Sequence, residues 1–175
     1  MCIRDRYGPA WSSDLQLVIL VAIFHARGQT AALFGPAQAA LADRPDFPTL
    51  QAVLAATAAA ADDREEARTM LDRVSVNGFD GLIPDFSWKG VAVLLADAVA
   101  YLGDAEAAES LHGLLVPFAG SMTWAGVVSY GAVDTALAKL AATMGDSVRA
   151  ERYQESGEEL VASLALPSGE LVESA

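Results

Sequence analysis

Only one cysteine, Cys2, stands in the chain, so neither a disulfide framework nor a thiolate metal site is available to hold the fold. Aromatic residues make up just 7% of the sequence and β-branched runs are short, which leaves little material for stacked sheets. Alanine dominates instead and favours helix. Basic residues are scarce: 11 Lys and Arg stand against 23 Asp and Glu, a formal charge of −12. Direct nucleic-acid binding by this segment is therefore not expected, because phosphates would be repelled, and anionic membrane surfaces are disfavoured for the same reason. Long apolar runs are missing too. The longest, Leu17 to Phe24, falls far short of the ~20 residues that span a bilayer and reads as a helix buried on both sides. No signal peptide opens the chain, so a cytoplasmic location is expected.

Catalytic constellations are equally absent from the sequence. His25 and His112 each lie on an expected helix with no Cys or His at ligand spacing, and they read as half-buried helix residues rather than metal ligands. Ser121, Thr123 and Ser129 have no base beside them in a recognisable motif. Asp80 and Asp85 flank Gly81 and Pro84, a composition that turn formation explains more simply than cation binding. There is no G-x-x-x-x-G-K-[ST] phosphate loop and no basic recognition helix. The segment is expected not to be an enzyme and to need no cofactor or metal.

What the chain does have is a recurring joint. Leu102-Gly103-Asp104 and Met144-Gly145-Asp146 each place a glycine where a helix must stop and an aspartate where the next must start. Glycine tolerates the left-handed backbone that closes a helix, and aspartate accepts from the free N–H groups of the following first turn. Weaker copies stand at Gly28 and at Asp62, giving separations of 34, 41 and 42 residues. Helix-pair repeats have periods of roughly 34 to 47 residues. An alanine follows five positions after the joint at Ala67, Ala108 and Ala150, small enough to let paired helices approach closely.

Helices are expected over Ser12 to Arg27, Gln29 to Asp43, Thr49 to Ala61, and from the Asp63/Glu66 capping pair to Asn77-Gly78. Four more are expected from Ser87 to Leu102, from Asp104 to Phe118, from Val133 to Met144, and from Asp146 to Leu164. Gly35-Pro36 should kink or delay the second. The expected fold is all-α: about eight helices in antiparallel hairpins stacked as an α-solenoid, with a closed bundle of the same elements as the alternative. Residues 1–11 form a leader outside this fold, 12–166 the helical domain and 167–175 an acidic tail. Met1 to Arg6 resemble adapter sequence read as protein, so the natural N-terminus is expected to lie outside the chain.

Two stretches are expected to be loops long enough for recognition. Gly120 to Tyr130 offers Trp124 and Tyr130 as aromatic anchors, and Asn77 to Phe86 offers Phe79 and Phe86. The competing reading is that Trp124 and Tyr130 tuck back onto Trp88 and Phe118.

From Trp88 to Gly145 the motifs occur in order: a Trp-led helix, Leu-Gly-Asp, Leu114-Leu115-Val116-Pro117-Phe118-Ala119-Gly120, a glycine-containing loop, Tyr130-Gly131-Ala132-Val133-Asp134, and Leu140-Ala141-Ala142-Thr143-Met144-Gly145. In that order and spacing the chain, over about Trp11 to Leu166, resembles the C-terminal tetratricopeptide-like region of large bacterial signalling proteins. These include LuxR-type ATP-binding transcriptional regulators and related proteins with cyclase domains. The resemblance implies a regulatory, protein-interacting module whose partner is another protein or another domain of the parent regulator. A small-molecule effector sensor, with its pocket near the 120–130 loop, is the alternative it allows. After Leu166 the chain departs from the pattern, with a short acidic tail in place of a further helix.

Overall fold

The computed structural model describes residues 16–164 except 18, 83–86 and 126–127. Residues 16–17 and 19–26 are helical (α1), followed by α2 (Phe34–Asp43), α3 (Pro48–Ala60) and α4 (Arg64–Val74). Then come α5 (Trp88–Leu102), α6 (Ala105–Leu115), α7 (Val133–Thr143) and α8 (Ser147–Leu164). The described residues are thus helical throughout, apart from short connections and one hairpin of β1 (Met122–Ala125) and β2 (Val128–Ala132). That hairpin corrects the long loop expected over Gly120 to Tyr130. Met-Thr-Trp-Ala and Val-Ser-Tyr-Gly-Ala hold β-branched and aromatic residues suited to strands, and they pair antiparallel, Met122 opposite Ala132 and Thr123 opposite Gly131. The delay expected of Gly35-Pro36 is seen at α2, whose start moves from Gln29 to Phe34. Pro36 lacks an N–H and is tolerated only in a first helical turn, so Thr30–Leu33 forms a 3-10 turn and the α-helix waits until Phe34.

The joints have the backbone that their residues dictate. Gly28, Asp62, Gly103 and Gly145 all sit at positive φ, 66°, 61°, 67° and 82°. At the third joint the Gly103 N–H donates to the Ala100 carbonyl at 3.1 Å and the Asp104 N–H to Val99 at 3.2 Å, the two bonds of a Schellman motif. The same pair recurs at the others, from Gly28 and Gln29 to His25 and Phe24, from Asp62 and Asp63 to Ala59 and Ala58, and from Gly145 and Asp146 to Ala142 and Ala141. At three joints an aspartate then caps the next helix, Asp63 accepting from the Glu66 N–H, Asp104 from Ala107 and Asp146 from Arg149, at 3.0 to 3.1 Å. At Asp104 that bond, aided by Arg68, holds the carboxyl below its ordinary range despite partial burial.

A Cβ at Gly103 would meet nothing within 4 Å, so any cost of substitution there is purely backbone. Gly103→Val should destabilise by about 1–2 kcal/mol, the left-handed penalty of an L-residue. Asp62 already carries that penalty, at φ 61°. Asp62→Gly should leave stability unchanged or raise it by up to ~1 kcal/mol, offset by the lost hydrogen bond from the Tyr101 hydroxyl. Urea unfolding of the two variants checks the pair; wild-type stability in Gly103→Val would remove the left-handed assignment.

Packing follows from the alanines. Every residue of α3 from Thr49 to Ala59 is buried, because α2, the 3-10 turn, α4 and α5 all lie against it. Ala52, Ala55, Ala56, Ala58 and Ala59 keep that helix thin enough for several neighbours at once. Two buried polar side chains of α3 find backbone partners: Gln51 donates to the Pro45 carbonyl at 2.8 Å and Thr57 to Leu54 at 3.1 Å. α5 lies against both α3 and α7, so the first helices of successive hairpins stand in a row. α4, α6 and α8 each pack on their own hairpin partner. Arg68 of α4 pairs with Asp104 at the start of α6, and Asp97 of α5 with Lys139 of α7, so neighbouring hairpins are tied together by charge as well as packing.

Candidate functional site

Counting back from each joint shows which side chains share a face. The position six residues before the joint holds Ala22, Ala56, Asp97 and Lys139 in successive hairpins, and that two before it holds Ala60 and Tyr101 in the second and third. Because the first helices lie side by side, the positions from the second hairpin onward meet in a recess of about 340 Å³, together with Ala59. Thr30, Asp97, Tyr101 and Lys139 stand around it. The alanines of α3 take so little space that α1 reaches α5 across them: His25 Nδ1 lies 3.6 Å from Asp97 Oδ2, and the other Asp97 oxygen accepts from Lys139.

Burial, reinforced by the Lys139 charge and opposed by Asp97, pushes the His25 imidazole below its ordinary pKa. A neutral imidazole, a carboxylate already matched by a lysine, and a tyrosine ring make a surface suited to binding. They supply no activated nucleophile. Among the described residues, no group of three or more His, Cys, Asp or Glu is placed to hold a metal ion, and no helix is long and apolar enough to cross a membrane.

A pH dependence follows from His25. The folded form disfavours its proton while the unfolded chain takes it up near pH 6.5, so between those two pKa values the unfolded state binds more protons. Stability should rise with pH through that window and level off above it. His112, lowered mainly by burial and then by Arg149, acts with the same sign. Urea midpoints at pH 7.5 and 5.5 should therefore fall on acidification in the wild type, and fall less in His25→Gln. An unchanged pH response in His25→Gln would show that the imidazole titrates as freely when folded as when unfolded.

The aromatic anchors expected from the sequence scatter. Trp124 is 59% exposed, at the point where the β1–β2 register slips, and projects from the hairpin. Tyr130, two strand positions from its turn, is buried against Gly90 of α5 and is a core residue rather than a surface anchor. Phe79 is fully buried and is likewise core. Phe86 and Asp85 lie outside the described residues, and Asp80 is exposed. Trp88 and Phe118 stack edge to face on each other, with centroids 5.5 Å apart.

Asp97 and Lys139 were missed by reading the chain for motifs. Their signal was their identical offset from consecutive joints, which only becomes meaningful once the hairpins are in register. No family model matches the chain, and neither does any curated protein or solved structure.

Proposed function

We propose that this chain is a protein-interaction module: a tetratricopeptide-like array of stacked helical hairpins from a bacterial ATP-binding transcriptional regulator or cyclase-type signalling protein. It has no catalytic role of its own, works in the cytoplasm, and presents the face lined by the first helices to a partner segment or to the parent's own domains. One observation carries the reading. Four Schellman joints recur at separations that fit helix-pair repeats, and the helices leading into the last three of them pack in a row. Such a row would leave the same positions of successive hairpins on one surface, and the recess lined by Asp97, Tyr101 and Lys139 supports that reading.

The experiment compares affinity capture from a high-GC bacterial lysate by three forms of the chain. Asp97→Lys combined with Lys139→Asp keeps the ion pair but reverses the polarity of the face, and it should lose the partner. Trp124→Ala should retain it. Retention by the charge-swapped form with loss by Trp124→Ala would move recognition to the hairpin and favour the effector-sensing alternative.

A further inference from the structure

The recess beside the joints carries polar capacity that its own side chains leave unused, and described residues make its lining. Thr30 is only 9% exposed and lines it, yet its hydroxyl has no hydrogen-bond partner among the described residues. A buried hydroxyl left so is costly unless something in the recess meets it. Lys139 gives one of its three N–H donors to Asp97 and has no other side-chain partner among the described residues. Asp97 in turn keeps acceptor capacity, because His25 Nδ1, at 3.6 Å, stands beyond hydrogen-bond reach. The Tyr101 ring is a fixed wall. Its hydroxyl donates to Asp62 at 2.6 Å, and the Arg64 guanidinium lies 5.7 Å from its centre while bonding the Tyr101 and Leu102 carbonyls. Ala56, Ala59 and Ala60 supply apolar lining between these groups.

We propose that this recess binds a free α-amino acid with an apolar side chain, a site that goes beyond the partner-binding reading and does not depend on it. The recess sets one cation beside one carboxylate. A ligand of net charge is repelled by one of them as it is drawn to the other, whereas a zwitterion laid antiparallel to the pair gains from both. Its carboxylate takes the unused Lys139 N–H groups and the Thr30 hydroxyl, and its ammonium donates to Asp97. The side chain then lies along the alanines against the Tyr101 ring. Size agrees with this choice. Small-molecule pockets run from ~300 to 1,000 Å³, and about 340 Å³ stands at the lower end, fit for one amino acid rather than a nucleotide. The formal charge of −12 further disfavours anionic metabolites. A residue inside a peptide has neither of the two charges, so the geometry selects the free amino acid.

Calorimetric titration and amide shifts of the full chain with L-leucine test this. Saturable binding with a Kd below about 1 mM is expected, with shifts centred on Thr30, Ala60, Asp97, Tyr101 and Lys139. N-acetyl-L-leucine, which lacks the cation, and L-leucinamide, which lacks the carboxylate, should each bind at least tenfold more weakly to the wild-type chain. Lys139→Gln should weaken L-leucine at least tenfold, Ala60→Leu should abolish its binding by filling the recess, and Trp124→Ala should leave it unchanged. Absence of saturable binding by L-leucine, L-valine and L-phenylalanine alike overturns the proposal. Equal affinity for either blocked analogue overturns it too, as does equal weakening by Trp124→Ala. No protein partner enters these titrations, so their failure and a failure of the capture experiment are distinguishable.

Discussion

Phe79→Ala should cost about 3–5 kcal/mol, the range for removing a buried aromatic ring, and Phe79→Gly should cost no more than that. The second half of this result reverses the usual order, in which glycine is the poorer substitute. Phe79 is fully buried in the turn between α4 and α5, and that turn packs against α3, α4 and α6. Its backbone is left-handed, φ 69° and ψ 16°, and it is the third such residue in succession after Asn77 and Gly78. Alanine loses the ring yet keeps the β-carbon that makes this conformation costly, by ~1–2 kcal/mol for an L-residue. Glycine loses the ring and the strain together, which offsets its larger conformational entropy in the unfolded chain, worth roughly 0.5–1 kcal/mol. Leu71 supplies the control. It is equally buried but lies in the right-handed backbone of α4, so there glycine should be worse than alanine by about 1 kcal/mol. Urea unfolding of the four variants gives the comparison; glycine falling below alanine at both sites would remove the strain assigned to Phe79.

The contrast between Phe79 and Asp62 marks what could be read from the sequence. Both are non-glycine residues at positive φ. Asp62 was legible because its setting is local: an alanine run, an Asp63 that caps three residues on, and the spacing to Gly103 all identify a joint. Phe79 was not, because what holds it left-handed is the packing of its ring among helices distant in sequence. The same division separates the helices from the β1–β2 hairpin. Gly103 and Asp104 bond to residues within five positions, so the residue types themselves announce the structure. The hairpin has no Asn-Gly or Asp-Gly turn, and glycines 126 and 131 interrupt its alternation, so its strands read as loop. The recess fell between these extremes. Asp97 and Lys139 sit on alanine-rich helices, where a charge reads as solvated surface, and only the row of first helices brings them to His25.

Gly90→Ala should destabilise by about 2 kcal/mol in the wild-type chain, within the range for overpacking a well-filled core. In a Tyr130→Ala background the same substitution should stabilise by up to ~1 kcal/mol, the helix propensity alanine has over glycine. The change of sign comes from one contact. Gly90 stands in the first turn of α5, and a β-carbon there would lie 2.5 Å from Tyr130 Cδ2 and 2.8 Å from Cε2. Neither distance is tolerable, and the ring cannot swing aside freely because β2 holds it. The Tyr130 N–H donates to the Thr123 hydroxyl at 3.2 Å, and that hydroxyl donates in turn to the Gly131 carbonyl at 3.0 Å. Relief therefore requires the whole hairpin to lift from α5, carrying the exposed Trp124 with it. Tyr130→Ala alone should cost 3–5 kcal/mol or so, as a buried aromatic does, and the double variant should be more stable than the sum of the two single effects. A double-mutant cycle by urea unfolding measures the coupling, expected at about 2–3 kcal/mol in favour of the pair. Additive effects would mean that the hairpin absorbs the β-carbon without moving. The contact of Tyr130 with α5 would then not be what sets the position of Trp124.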